Sequence, residues 1–105
     1  MIVRTWRGFA STEEAAKDYA DHVETTAFPK MRKLPGHIGA CLVTRKTADG
    51  IIVLVMSHWE DMQAVQQFSG ATFDTAVVEP RAQAVLGSFD PEVEHFELAV
   101  KSGSI

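Results

Sequence analysis

Cysteine is almost missing from this chain: Cys41 is the single one in 105 residues. One thiol can close neither an internal disulfide nor a Cys-rich zinc site. Basic residues are also few. Ten Lys and Arg stand against fourteen Asp and Glu, for a formal charge of −4, and no cluster of them forms a stripe. Nucleic-acid binding needs such a stripe to neutralise phosphates, so no nucleic-acid partner is expected. No apolar run approaches the roughly 20 residues that span a bilayer, so no membrane partner is expected either. The opening "MIVRTWRGF" lacks the apolar core of a signal peptide, and a cytoplasmic protein is the expectation. Phosphate loops, a G-x-S-x-G elbow and a dinucleotide fingerprint are absent too. With no repeat, linker or low-complexity stretch, residues 1–105 read as one domain.

What is present is ordinary globular composition, 46% apolar and 23% charged. A chain this short buries a smaller share of its surface than a large one, so a second copy would help it. "IVRTWRG" (2–8) reads as a strand ended by Gly8, with Ile2, Arg4 and Trp6 on one face. Ser11 and Glu14 fit a capping box for a helix whose stripe is Ala15, Ala16, Tyr19, Ala20, Val23 and Ala27. Pro29 is expected to break or kink that helix, and Pro35-Gly36 ends the segment. "HIGACLVTRK" (37–46) is a second strand, Asp49-Gly50 a tight turn, and "IIVLVMSH" (51–58) a third strand. The third is apolar on both faces and so belongs mid-sheet. Asp61 can cap a helix carrying Met62, Val65 and Phe68, which Gly70 closes. A short helical piece follows at 80–86, with Pro80 at its first position, and "PEVEHFELAV" (91–100) is the last strand.

The order β-α-β-β-α-β, with the second helix in two pieces, predicts an α+β, ferredoxin-like fold. It is a four-stranded antiparallel sheet with helices on one face. Cys41, Val43, Ile51, Val53 and Val55 cannot all lie under helices. An uncovered apolar sheet face is a liability on a monomer, and pairing it with another copy removes it, so a homodimer is expected.

"RTWRG", the helix with one Tyr, "LPGHIGACLVTR", "SHWEDMQAVQQFSG" and "FDPEVEHFELA" together resemble the antibiotic biosynthesis monooxygenase-like family of dimeric α/β barrels. The resemblance covers nearly the whole chain. It implies a pocket between helices and sheet, and a place among cofactor-independent quinone-forming monooxygenases, haem-degrading enzymes or the many members with no assigned function. Trp59 matches the family tryptophan where the third strand meets the second helix, Phe68 an aromatic on that helix, and His95 the histidine of a "V-x-H-[YF]-E" ending. Two departures stand out. Catalytic members use a first-strand asparagine, and this chain has none, presenting Arg4 and Trp6 there instead. Haem-degrading members place an iron-ligating histidine about ten residues after the helix aromatic, where this chain has Val78, which cannot ligate iron.

The candidate catalytic residues are Trp59, Arg4 and His95. Candidate substrate contacts are Trp6, Tyr19, His58, Phe68 and Phe73. Trp59 either walls a pocket, with its N–H as donor, or plugs the strand–helix junction. His58 is either a proton acceptor at the rim or a solvated end residue. A buried Arg4 would meet an enolate, phenolate or carboxylate of a ligand, or Glu97 across the sheet. If its face points at a second copy, Arg4 and Trp6 are interface instead. His95 and Glu97 share a face. A metal there would need a third ligand, for which the spacing of His22 and His37 gives no signal, and no metal or other cofactor is expected. Tyr19 either hydrogen-bonds a phenolic ligand or packs in the core, and Cys41 reads as an inert thiol.

Two functions remain open. One is a small-molecule enzyme that stabilises the anion of an aromatic or polycyclic substrate with Arg4 or a histidine and lets it react with dioxygen. The other is a non-catalytic dimeric module. What separates them is whether the interior lined by Arg4, Trp6 and Trp59 is hollow or filled.

Overall fold

The computed structural model describes residues 1–70, 72 and 74–104. Its elements are β1 (Ile2–Ala10), α1 (Glu13–His22), a wide turn of π-helix (Val23–Ala27), α2 (Phe28–Arg32), β2 (His37–Lys46), β3 (Ile51–Trp59), α3 (Met62–Ser69), α4 (Pro80–Val85), β4 (Ser88–Phe89) and β5 (Glu94–Glu97). All strand pairs are antiparallel. The sheet runs β2-β3-β1, with β4 and β5 both pairing the far edge of β1. The helices cover one face, which is the ferredoxin-like plan expected from the pattern.

Several boundaries differ from expectation, each for a local reason. Gly8 does not end β1; it lies inside the strand, opposite Val53 and Phe89. There Leu86 packs so close that a Cβ on Gly8 would stand 2.9 Å from its Cδ1. The first helix is capped by Thr12, whose Oγ1 accepts from Ala15 N at 3.1 Å, rather than by a Ser11–Glu14 box. Pro29 does not break the helical run. The π turn ends at the residue just before Phe28 and Pro29, and Phe28 N donates back to Val23 O across five residues. Widening the turn gives room where a proline ring would otherwise strike the preceding turn. The last strand is shorter than the 91–100 run, covering only Glu94–Glu97 as β5, and an unexpected two-residue strand, β4, stands before Pro91, which can donate nothing to the ladder. Asp61 caps α3 as expected, its Oδ1 accepting from Ala64 N at 2.9 Å.

Register sorts the side chains. Ile2, Arg4, Trp6, Gly8 and Ala10 of β1 face the helices, opposite Trp59, Ser57, Val55, Val53 and Ile51 of β3. Two apolar groups form the core there, one around Tyr19, Val23 and Val53, the other around Trp59, Val65 and Met31. Of the apolar residues weighed for the uncovered face, Ile51, Val53 and Val55 are under the helices, whereas Cys41 and Val43 are on the bare side. They are joined there by Leu54 and Met56 of β3 and Phe96 of β5. Among the described residues no helix is long and apolar enough to cross a membrane.

Candidate functional site

Arg4 sits mid-strand in the centre of the sheet, with Ser57 as its register partner on β3 and His95 on β5. The three polar residues thus form one row beneath the helices. Arg4 is 4% exposed. Its Nη1 donates to His95 Nε2 at 3.0 Å, its Nη2 donates to the Thr75 carbonyl at 3.3 Å, and its guanidinium lies 5.6 Å from the centre of the Phe68 ring. Arginine only donates, so His95 accepts through Nε2 and keeps its proton on Nδ1. Burial pulls the Arg4 pKa down from the usual guanidinium range to about 10, which still leaves a cation at neutral pH. Burial first, and the Arg4 charge second, hold His95 below its usual value, while Asp74 pulls the other way.

A cavity of about 60 Å³ opens beside this row, between helices and sheet. Arg4, Trp6, Tyr19, His22, Ser57 and Phe68 line it, and Val77, Val78 and the partly exposed Glu79 cover another side. Trp6 packs against Tyr19 and Phe89 at ring separations of 6.0 and 5.9 Å, and its Nε1 donates to Asp90 O at 2.7 Å. Burial drives the Tyr19 hydroxyl well above the usual phenol range, so it stays protonated and can donate to a ligand. The space takes roughly four waters. Ligand sites for drug-sized molecules run to about 300–1,000 Å³, so the interior is neither solid nor open enough for a polycyclic ligand in this shape.

The structure brings Arg4, Trp6, Tyr19, Phe68 and, through Arg4, His95 to one place. Two expected residues stand elsewhere. Trp59 is 0% exposed and does not line the cavity. Its Nε1 donates to Ser57 Oγ at 2.9 Å, its ring stacks on Phe68 at 5.8 Å, and His37 meets it edge-on at 4.9 Å. It holds the wall from behind. His58, one residue earlier, alternates to the bare side of the sheet, opposite Val3, and so is no rim residue of this cavity. Phe73 lies outside the described residues. His22 and Ser57 line the site although sequence reasoning did not single them out as ligand contacts. The available signals were His22 three residues beyond Tyr19 on the helix stripe, and a lone serine in the apolar run of β3.

Among the described residues no group of three His, Cys, Asp or Glu could hold a metal ion. A haem does not fit: the cavity is several-fold too small, and the wall position Val78 offers no ligand.

The sequence model described as antibiotic biosynthesis monooxygenase matches residues 8–85. The chain belongs to the antibiotic biosynthesis monooxygenase family. Among curated proteins, none matches it significantly. Solved structures similar to this family member include a dimeric ferredoxin-like protein from an uncultured marine organism, at 11% identity and TM-score 0.71, covering 96% of this chain and 97% of that one. The haem-degrader MhuD of Mycobacterium tuberculosis follows at 18% identity and TM-score 0.65, over 98% of this chain and 100% of that one. SnoaB, a cofactor-independent oxygenase of Streptomyces nogalater, has 19% identity and TM-score 0.59, over 95% and 94%. At these identities the likeness carries the fold alone. The similar structures include both an oxygenase and a haem-degrader, and in this chain the wall residue Val78 offers no iron ligand.

Proposed function

We propose that this chain is a cytoplasmic, homodimeric small-molecule-binding protein of the cofactor-independent oxygenase kind. Its ligand is a compact aromatic phenol or enol held as its anion. The observation that carries the reading is the buried Arg4 guanidinium, which lines an aromatic-walled cavity from the central strand. A preorganised cation in a dry site stabilises a developing oxyanion far better than water does. The anion itself reduces dioxygen: a carbon–oxygen bond forms to give a hydroperoxide, the O–O bond breaks, water leaves, and a carbonyl remains. No outside reductant is needed. Trp6, Tyr19 and Phe68 exclude water, and His95 orients Arg4. Because the cavity holds about 60 Å³, admitting a ring requires its walls to move outward.

The small volume and the missing asparagine favour a second reading, a non-catalytic module with a filled interior. One experiment separates the two. Dioxygen uptake and Trp fluorescence are followed with one-ring and two-ring phenols, for the native chain and Arg4→Met. Uptake above the spontaneous rate that falls with Arg4→Met supports the oxygenase. Saturable binding without uptake leaves a binding protein, and neither leaves the module.

The dimer reading is supported by bare-face Val43 and Phe96, 45% and 50% exposed, and by the dimeric description of the marine neighbour. Sedimentation of the native chain as a dimer, and of Val43→Lys with Phe96→Lys as a monomer, is the expected outcome. A native monomer at micromolar concentration overturns it.

A further inference from the structure

Two interior nitrogens have no hydrogen-bond partner among the described residues: His22 Nδ1 and His37 Nδ1. His37 is set edge-on against Trp59 and does not line the cavity. His22 does line it, and is 3% exposed. It is the last residue of α1, three beyond Tyr19 on the face toward the sheet, with the two rings 6.2 Å apart. The polar groups near it on the outer helix surface are engaged with one another. Thr25 Oγ1 donates to Asp21 O at 2.7 Å, and Arg81 Nη2 donates to Asp21 Oδ2 at 2.7 Å. A buried imidazole nitrogen is unfavourable unless something in the cavity matches it.

We propose that His22 is a ligand-contacting residue that gives the cavity its preference for a hydroxyl. Nδ1–H donates to the ligand oxygen, hydroxyl or oxyanion, from the helix side, while Arg4 approaches the same ligand from the sheet side. The proposal rests on the cavity being a ligand site, and it adds what that site selects: a hydroxyl-bearing ring over the same ring bearing a methyl group. His22 then sets specificity and Arg4 charge, so the two separate by mutation.

Phenol and toluene serve as probes, with binding to the full-length chain followed by Trp fluorescence and calorimetry. The native chain is expected to favour phenol over toluene by about tenfold, the scale of one buried hydrogen bond. In His22→Leu that preference collapses while toluene still binds, and His22→Gln, which can still hydrogen-bond, restores part of it. A preference that survives in His22→Leu overturns the role of His22 and leaves the cavity reading intact. Failure of both probes to bind the native chain overturns the cavity reading and this one with it. In case His22→Leu does not fold, nitrogen NMR of the native chain labelled at histidine gives the same answer. Phenol should move the His22 Nδ1 resonance and toluene should not, and an unmoved resonance overturns the proposal.

Discussion

Gly36→Ala is expected to cost this domain a large part of its stability. Gly36 has a φ of +84°, and a Cβ placed on it would stand 2.5 Å from the Cβ of Ala64 in α3. The two penalties have the same sign. Holding an L-residue in left-handed backbone costs roughly 1–2 kcal/mol. Forcing a methyl into packed surroundings costs about 1–3 kcal/mol more. Relief by movement is hard, because both atoms are anchored directly on backbone and Gly36 O also accepts from Glu60 N at 2.8 Å. The sum, roughly 2–5 kcal/mol, corresponds to a Tm drop of about 10–25 °C for a domain of this size. Thermal unfolding followed by circular dichroism reads it directly. Adding Ala64→Gly removes the clash and leaves the backbone strain, so after a helix glycine's own cost of about 1 kcal/mol the double variant should recover up to about 2 kcal/mol. A Tm drop below about 4 °C for Gly36→Ala, or no coupling between the two positions, would refute the reasoning.

Three further outcomes are expected. Arg4→Met should weaken binding of a phenolate by at least about tenfold in calorimetry, since it removes a buried cation at the cavity; unchanged affinity would detach Arg4 from the ligand. His95 and His37 both lie below the ordinary imidazole value, for which burial is the leading cause. The unfolded chain therefore takes up protons first as pH falls. Stability present above about pH 6.5 is lost as pH drops below it, with a shallower loss in His95→Gln, and a flat urea-unfolding profile between pH 7.5 and 5 would contradict this. Trp59→Phe should lower stability by about 1–3 kcal/mol by leaving Ser57 without its indole donor, yet leave ligand affinity within about twofold, and a loss of affinity without loss of stability would make Trp59 a ligand contact after all.

Much of the fold was legible because its signals were local and mutually consistent. The doubly apolar run of β3 marked a central strand, Asp61 marked a helix start, and Asp49-Gly50 marked the turn between β2 and β3. The shared face of Arg4 and Trp6 followed from alternation, though which layer it met did not. What sequence could not carry was decided at a distance. Gly8 looks like a strand terminator until Leu86 is seen packed over it. Pro29 looks like a helix breaker until the π turn before it makes room. The last strand shrinks to Glu94–Glu97 inside a plausible alternating run, and the two-residue β4 before Pro91 leaves no periodic signal. At the site, Trp59 drew attention as a capable side chain, but its N–H is spent on Ser57. His22 drew little, because a histidine on a helix stripe gives no hint that one of its nitrogens will be left unmatched.

The polar row His95–Arg4–Ser57 belongs to the stiffest part of the molecule, three laddered strands. The Val77–Glu79 segment above it belongs to no strand ladder and is held by side chains instead, Glu79 by Lys30 and the Val78 carbonyl by Gln83. A charge mounted on the floor cannot swing out to greet a visitor; the roof must admit the visitor to it. Relatives that keep such a floor and rebuild only the roof could exchange one guest for another without disturbing the sheet.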